Sequence, residues 1–262
     1  MIIDSHMHFG PALQYFDDPI GPLMRINTAD DLLRVMDNAG IEIAVICPPR
    51  WIGGQFFDPN YEKANQAIAA ACKSNSDRLI GFGRVNPNWG SEAVEELRRC
   101  LGQYGLRGVK LDPEWDSFFA TNKGLVHPLM DLAVEHKVPV MFYSGYYPAE
   151  PALLIQLALA YPSHPIIMGH MGGRLTSDAV IAARKAPNLI LETSGSLYSF
   201  SEIIKGLGAD RFIFGSGCPF EFPKVQLEKF RRTPHLSAAE RTKILSGNAA
   251  KLFNLKVPAS KP

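Results

Sequence analysis

Residues 138–170, VPVMFYSGYYPAEPALLIQLALAYPSHPIIMGH, hold the pattern that decides the fold. Val138 to Phe142 is a short apolar run, Ala149 to Ala160 is longer and apolar at helical spacing, and Ile166 to Gly169 is short and apolar again. A strand, a helix and a second strand in that order make a parallel pair joined by a crossover. The unit ends on His170, where the second strand gives way to a loop.

The same alternation recurs on both sides of this unit. Candidate strands are Ile2 to Ser5, Ile41 to Cys47, Leu79 to Val85, Gly108 to Leu111, Val138 to Phe142, Ile166 to Gly169, Leu189 to Glu192 and Phe212 to Gly215. Helices are expected at Thr28 to Asn38, Asn60 to Lys73, Ser91 to Gln103, Gly124 to Glu135 and Ala149 to Ala160, with shorter ones at Ser177 to Lys185 and Ser199 to Gly206. Parallel strands followed by helices, eight times over, close into a (β/α)8 TIM barrel, and 262 residues suit one such α/β domain. No linker-like Pro/Gly/Ser tract divides the chain, so residues 1–262 are expected to form a single barrel domain.

Composition narrows the function. With 27 basic and 26 acidic residues the net charge is +1, which argues against nucleic acid and anionic membranes as partners and for a small-molecule substrate. The four cysteines, Cys47, Cys72, Cys100 and Cys218, show neither Cys-X-X-Cys spacing nor a disulfide pattern. With no export signal and no apolar run of about 18 residues, the expectation is a soluble, cytoplasmic protein with reduced thiols.

In such barrels chemistry gathers where strands end. Those positions here carry His6 and His8, Lys110 and Asp112, Tyr143, His170, Glu192 and Ser194, and Ser216 to Cys218. Side chains two apart on a strand share a face, so His6 and His8 can aim at one ion, and His170 at the same end offers a third nitrogen. His127, His136, His164 and His235 fall in helices or at strand starts and are read as solvated or capping residues.

The ordered set Ile2-Ile-Asp-Ser-His-Met-His8, Gly108-Val-Lys-Leu-Asp112, Met168-Gly-His-Met-Gly-Gly173, Glu192-Thr-Ser-Gly195, Phe212-Ile-Phe-Gly-Ser-Gly-Cys-Pro-Phe220 and Ile244-Leu-Ser-Gly-Asn-Ala-Ala-Lys-Leu-Phe253 resembles the amidohydrolase superfamily, in its branch related to aminocarboxymuconate-semialdehyde decarboxylase. The resemblance implies a distorted (β/α)8 barrel that hydrolyses or non-oxidatively decarboxylates small molecules. It also implies one divalent metal, zinc first and manganese second, and a homodimer, since dimers are common in the family. The family's first two metal ligands fall on His6 and His8, and its histidine near the metal falls on His170. Two positions depart from the pattern. Tyr143 stands where a metal-binding histidine is usual, and Gly217 where the family has an aspartate that is both ligand and proton acceptor.

Gly217 leaves the base to another residue, and Glu192, Asp112, Glu221 and Cys218 are the candidates; Glu192 can equally be a carboxylate that orients a histidine. Tyr143 can pack, bind substrate or ligate metal weakly. Metal-free lactonases of a related branch also lack a histidine at this strand. Lys110 stands where binuclear relatives carry a carboxylated lysine, though a salt bridge with Asp112 or a substrate acid is preferred. Arg50, Arg84 and Arg174 are candidate carboxylate clamps, and Trp51, with Phe56, Phe57, Tyr61, Tyr146 and Tyr147, a candidate pocket mouth. The leading expectation is a metal-dependent hydrolase of an amide, ester or lactone that uses a metal-activated water; the alternatives are a non-oxidative decarboxylase of an aromatic or dienoic acid and a metal-free or inactive binding barrel.

Overall fold

The computed structural model describes residues 1–10, 26–49, 58–195 and 200–255. Nine strand segments run in chain order: β1 (Ile3–His8), β2 (Ile43–Cys47), β3 (Leu79–Gly81), β4 (Gly83–Arg84), β5 (Val109–Leu111), β6 (Val140–Tyr143), β7 (Ile166–Gly169), β8 (Leu189–Glu192) and β9 (Phe212–Ile213). Every pairing is parallel and between sequence neighbours, in the orders β1-β2-β3 and β4-β5-β6-β7-β8-β9. β3 and β4 are two halves of one barrel stave: Phe82 N between them donates to Ile46 O on one side, and Gly83 N donates to Gly108 O on the other. The ring closes where Ser5 N donates to Phe214 O at 2.8 Å and Gly217 N donates to His6 O at 2.8 Å. Nine segments thus fill eight staves, and the fold is the (β/α)8 barrel that the alternation predicts.

Alternating side chains divide the apolar residues into two layers. Val109, Leu111, Val140, Phe142, Leu189 and Leu191 pack outward with the helices, whereas Val45, Ile80, Phe82, Met141, Ile167 and Ile213 fill the inside together with Ala249 and Phe253 from the carboxy-terminal helix Asn248–Leu252 and its end. Lys110, Tyr143 and Glu192 sit at the inward parity of their strands. β1 needs one more device. Ile3 belongs to the inner layer and Met7 to the outer, although residues four apart on a regular strand share a face. A register shift between Asp4 and Met7 inserts one extra residue against β2 and reverses the parity. His6 and His8 therefore face the barrel interior.

The helices follow local chemistry. Ala29–Ala39 opens on a capping box between Thr28 and Asp31 and ends on Gly40, whose φ of 73° suits glycine. The expected helix after Ser91 continues from Ser91–Arg98 into a π turn at Arg99–Gln103. The helix expected from Ala149 starts later, at Leu153, and the two histidines expected after β1 lie within it. Past β9 come three helices that the strand–helix alternation does not forecast, Pro223–Arg232, Ala238–Thr242 and Asn248–Leu252. Among the described residues no helix is long and apolar enough to cross a membrane.

Candidate active site

Glu192, at the end of β8, is the fully buried hub of a cluster with His6, Ser194 and the partly buried His170. Its Oε2 accepts from His6 Nδ1 at 2.8 Å, from Ser194 Oγ at 2.8 Å and from His170 N at 3.1 Å, and its Oε1 accepts from Ser194 N at 2.6 Å. Burial alone would raise the Glu192 pKa; the His6 and His170 rings and these donors override it and hold it at about 2. A carboxylate so committed is a poor base, and it does not line the cavity described below. Of the two roles expected of Glu192, these bonds suit the carboxylate that orients His6 and, through Ser194 Oγ 2.9 Å from His170 Nδ1, the second ring as well.

With Nδ1 of His6 donating to Glu192, its Nε2 faces inward as an acceptor, 2.6 Å from Lys110 Nζ. His8 Nε2 lies 3.0 Å from the same Nζ. Lys110 thus bridges the two imidazoles, whose centroids are 4.8 Å apart. Burial lowers the Lys110 pKa. Burial and Lys110 also oppose a charge on His6, but the Glu192 carboxylate and Cys47 leave its pKa raised. The opposite directions fit a buried contact in which one partner must accept, so the Lys110 and His6 pair carries one positive charge between them. His8 and His170 are held neutral, first by burial and then by the surrounding cations.

Asp4 lies beneath, its Oδ1 accepting from the backbones of His6 and Ser216 at 3.0 Å each, and burial pushes its pKa up to about 7. Cys47 ends β2 beside His6. Burial opposes its ionisation, yet Lys110 and His6 leave its thiol pKa lowered. The sequence pattern did not single out Cys47, although its register opposite His8 is what brings it inward. Cys218, by contrast, is buried with its pKa raised, which keeps the thiol protonated.

Above this cluster a cavity of about 270 Å³ opens at the strand ends, lined by His8, Arg84, Lys110, Asp112, Trp115, Tyr143, His170, Gly217, Phe220 and Glu221. Arg84 is buried on β4, with its guanidinium 4.4 Å from the centre of the Tyr61 ring and its Nη2 3.2 Å from Asp116 and 3.4 Å from Asp112. Burial works against the Arg84 charge, and Tyr61, Asp116 and Asp112 more than restore it. Glu221 is half-buried, and burial raises its pKa, with Lys229 opposing. The Tyr143 ring meets His170 edge-on at 5.1 Å. His170 itself stands at φ 62° in the turn after β7, a conformation that Ser144 steadies by donating to Gly169 O and accepting from Gly172 N.

The structure therefore gathers His6, His8, Lys110, Asp112, Tyr143, His170 and Gly217 at one end of the barrel. Arg174 is not among them: it is exposed in the turn after His170 and does not line the cavity. Of the other two arginine candidates, Arg84 is buried in β4 and lines the cavity. Arg50, Trp51, Phe56 and Phe57 lie outside the described residues.

Two groups of side chains have donor atoms within 4.8 Å of one another and so close enough to share a metal: His6, His8 and Cys47, and His6, His170 and Glu192. In the second, the donors are already joined by hydrogen bonds. In the first, the two Nε2 lone pairs converge on Lys110 Nζ. With a phenol at Tyr143 and no side chain at Gly217, the residues present do not fit the metal site that the family implies.

A barrel with a histidine cluster at its strand ends defines a class of enzyme-like proteins, and comparison with known proteins gives the particular family. The amidohydrolase family model matches residues 3–255, and the chain belongs to this family. It is similar to the gamma-resorcylate decarboxylase of a Rhizobium species, at 24% identity with 88% of each chain covered. Among solved structures, 2,6-dihydroxybenzoate decarboxylase from Rhizobium superposes with a TM-score of 0.74 at 20% identity, covering 97% of this chain and 98% of that one. The 5-carboxyvanillate decarboxylase from Novosphingobium aromaticivorans, solved with manganese and 4-hydroxy-3-methoxy-5-nitrobenzoic acid, also gives 0.74, at 16% identity over 97% and 96% of the two chains. These structural likenesses establish the fold.

Proposed function

We propose that this chain is a non-oxidative decarboxylase of a small hydroxyaromatic carboxylic acid. The observation that carries the reading is the cavity: its inner end presents Lys110, which is bonded to His6 behind it, and its walls include Trp115, Tyr143 and Phe220. Such a site matches an anionic head on a flat ring. The decarboxylase relatives support the same class of substrate.

Each residue has a task in this reaction. An ammonium has three N–H donors. Two of those on Lys110 go to His6 and His8, and the third is available to an oxygen of the substrate. Arg84 adds positive potential from the cavity wall while Asp112 and Asp116 fix its orientation. Of the two cavity carboxyl groups, Asp112 is paired with Arg84, and Glu221, whose pKa burial raises, is the one assigned as proton donor. Its proton goes to the ring carbon that bears the carboxylate. The bond to the carboxylate carbon then breaks, carbon dioxide leaves, and the electron pair restores the aromatic ring. Glu221 is reprotonated from water. The hydrolytic reading needs a base beside an attacking water; Glu192 is bonded to His6 and Ser194, Gly217 has no side chain, and of the cavity carboxyl groups Asp112 is paired with Arg84 and Glu221 is assigned as the acid.

The test is to incubate the protein in heavy water with a panel of hydroxybenzoic acids that includes 2,6-dihydroxybenzoate. The expected result is release of carbon dioxide and one deuterium on the vacated ring carbon, with Glu221→Gln slowing turnover by about 100-fold or more while the acid still binds. Opening of an ester, lactone or amide by the protein, with no carbon dioxide from any acid in the panel, would overturn the proposal.

A further inference from the structure

We infer that Lys110 occupies, as a built-in cation, the position between His6 and His8 at which the family's metal would bind. The inference stands on geometry and is independent of the reaction proposed above. Metal-bound imidazoles aim their lone pairs at one point while the far nitrogen donates to a carboxylate. His6 has that orientation, with Nδ1 on Glu192 and Nε2 inward, and His8 Nε2 converges on the same point. The atom at the point of convergence is Lys110 Nζ. Its side chain comes from the inward-facing position of β5 and is buried, with its Nζ held between the two imidazoles at the floor of the cavity.

Charge balance agrees with the geometry. A divalent ion with one carboxylate ligand brings a net charge of +1 to the site, and Lys110 beside Gly217 brings the same +1. This links Lys110 to the departure at Gly217: with the lysine in place of the ion, no ligand carboxylate is needed at that position. The backbone that would present the aspartate remains. Gly217 has a φ of 72°, a region that Asp enters more readily than most residues, and a Cβ there would meet Ser194 Cβ at 3.4 Å, an ordinary contact.

The experiment reads metal rather than activity. Wild-type protein is stripped with a chelator, dialysed against zinc or manganese, freed of excess ion and assayed by mass spectrometry beside Lys110→Met/Gly217→Asp and Gly217→Asp, with circular dichroism as the check on folding. Wild type and Gly217→Asp are expected to retain no stoichiometric metal, because both keep Lys110. The double variant is expected to gain about one equivalent. A stoichiometric ion in wild type or in Gly217→Asp overturns the inference, as does a folded double variant that stays empty. Should the double variant fail to fold, the other two proteins decide.

Discussion

Glu192 shows how one residue's partners decide its role. A carboxylate at the end of a barrel strand is equally suited to take a proton or to hold a ring, and the sequence leaves both open; the bonds from His6, His170 and Ser194 select the second. Glu192→Gln should therefore cost stability in a pH-dependent way. The folded pKa is about 2 against an ordinary 4.5, so the carboxylate stabilises the fold fully above about pH 4.5, by roughly 3 kcal/mol, and this is lost as the pH falls toward 2. Urea unfolding across this range should show wild type and variant far apart at pH 6 and converging in acid. A constant gap would contradict the role. Cys47 and Arg84 carry the complementary lesson. Their inward aim comes from strand register and burial, and a lone cysteine or arginine gives no sign of either in the sequence.

At the scale of elements, strand parity was legible and its exceptions were not. The apolar neighbours of Lys110, Tyr143 and Glu192 already place these three inside the barrel. The bulge in β1 has no such signature, yet it is what turns His6 and His8 inward. The split between β3 and β4, and the helices after β9 that bring Ala249 and Phe253 to the inner layer, also depend on tertiary packing that no local pattern reports. Two substitutions test this arrangement. At Gly215 a Cβ would come within 2.1 Å of Glu192 Oε1 and 2.9 Å of His6 Cβ. Because Glu192 is held by four hydrogen bonds it cannot yield cheaply, and Gly215→Ala should lose about 1–3 kcal/mol together with substrate binding. On β4, Arg84→Met would leave Asp112 and Asp116 buried without their cation. That variant should lose about 3–5 kcal/mol, and a loss within 1 kcal/mol would mean the network is better solvated than its burial implies.

Over the whole molecule, the alternation of strands and helices fixes the barrel, and the family match over residues 3–255 agrees with it. Two positions in the site depart from the family, Tyr143 and Gly217, and a third, Lys110, already a candidate in the sequence, is placed between His6 and His8 only by the folded structure. At this scale the protein keeps the family's architecture and the histidines at positions 6, 8 and 170, and in the inference drawn above Lys110 is the fixed cation at the centre. The most direct measurement of that claim is anomalous X-ray scattering at the manganese edge from crystals grown in manganese. The account predicts continuous density from the Lys110 side chain to the point between His6 Nε2 and His8 Nε2, and no anomalous peak there. A peak at that point, with Lys110 turned aside, would contradict it.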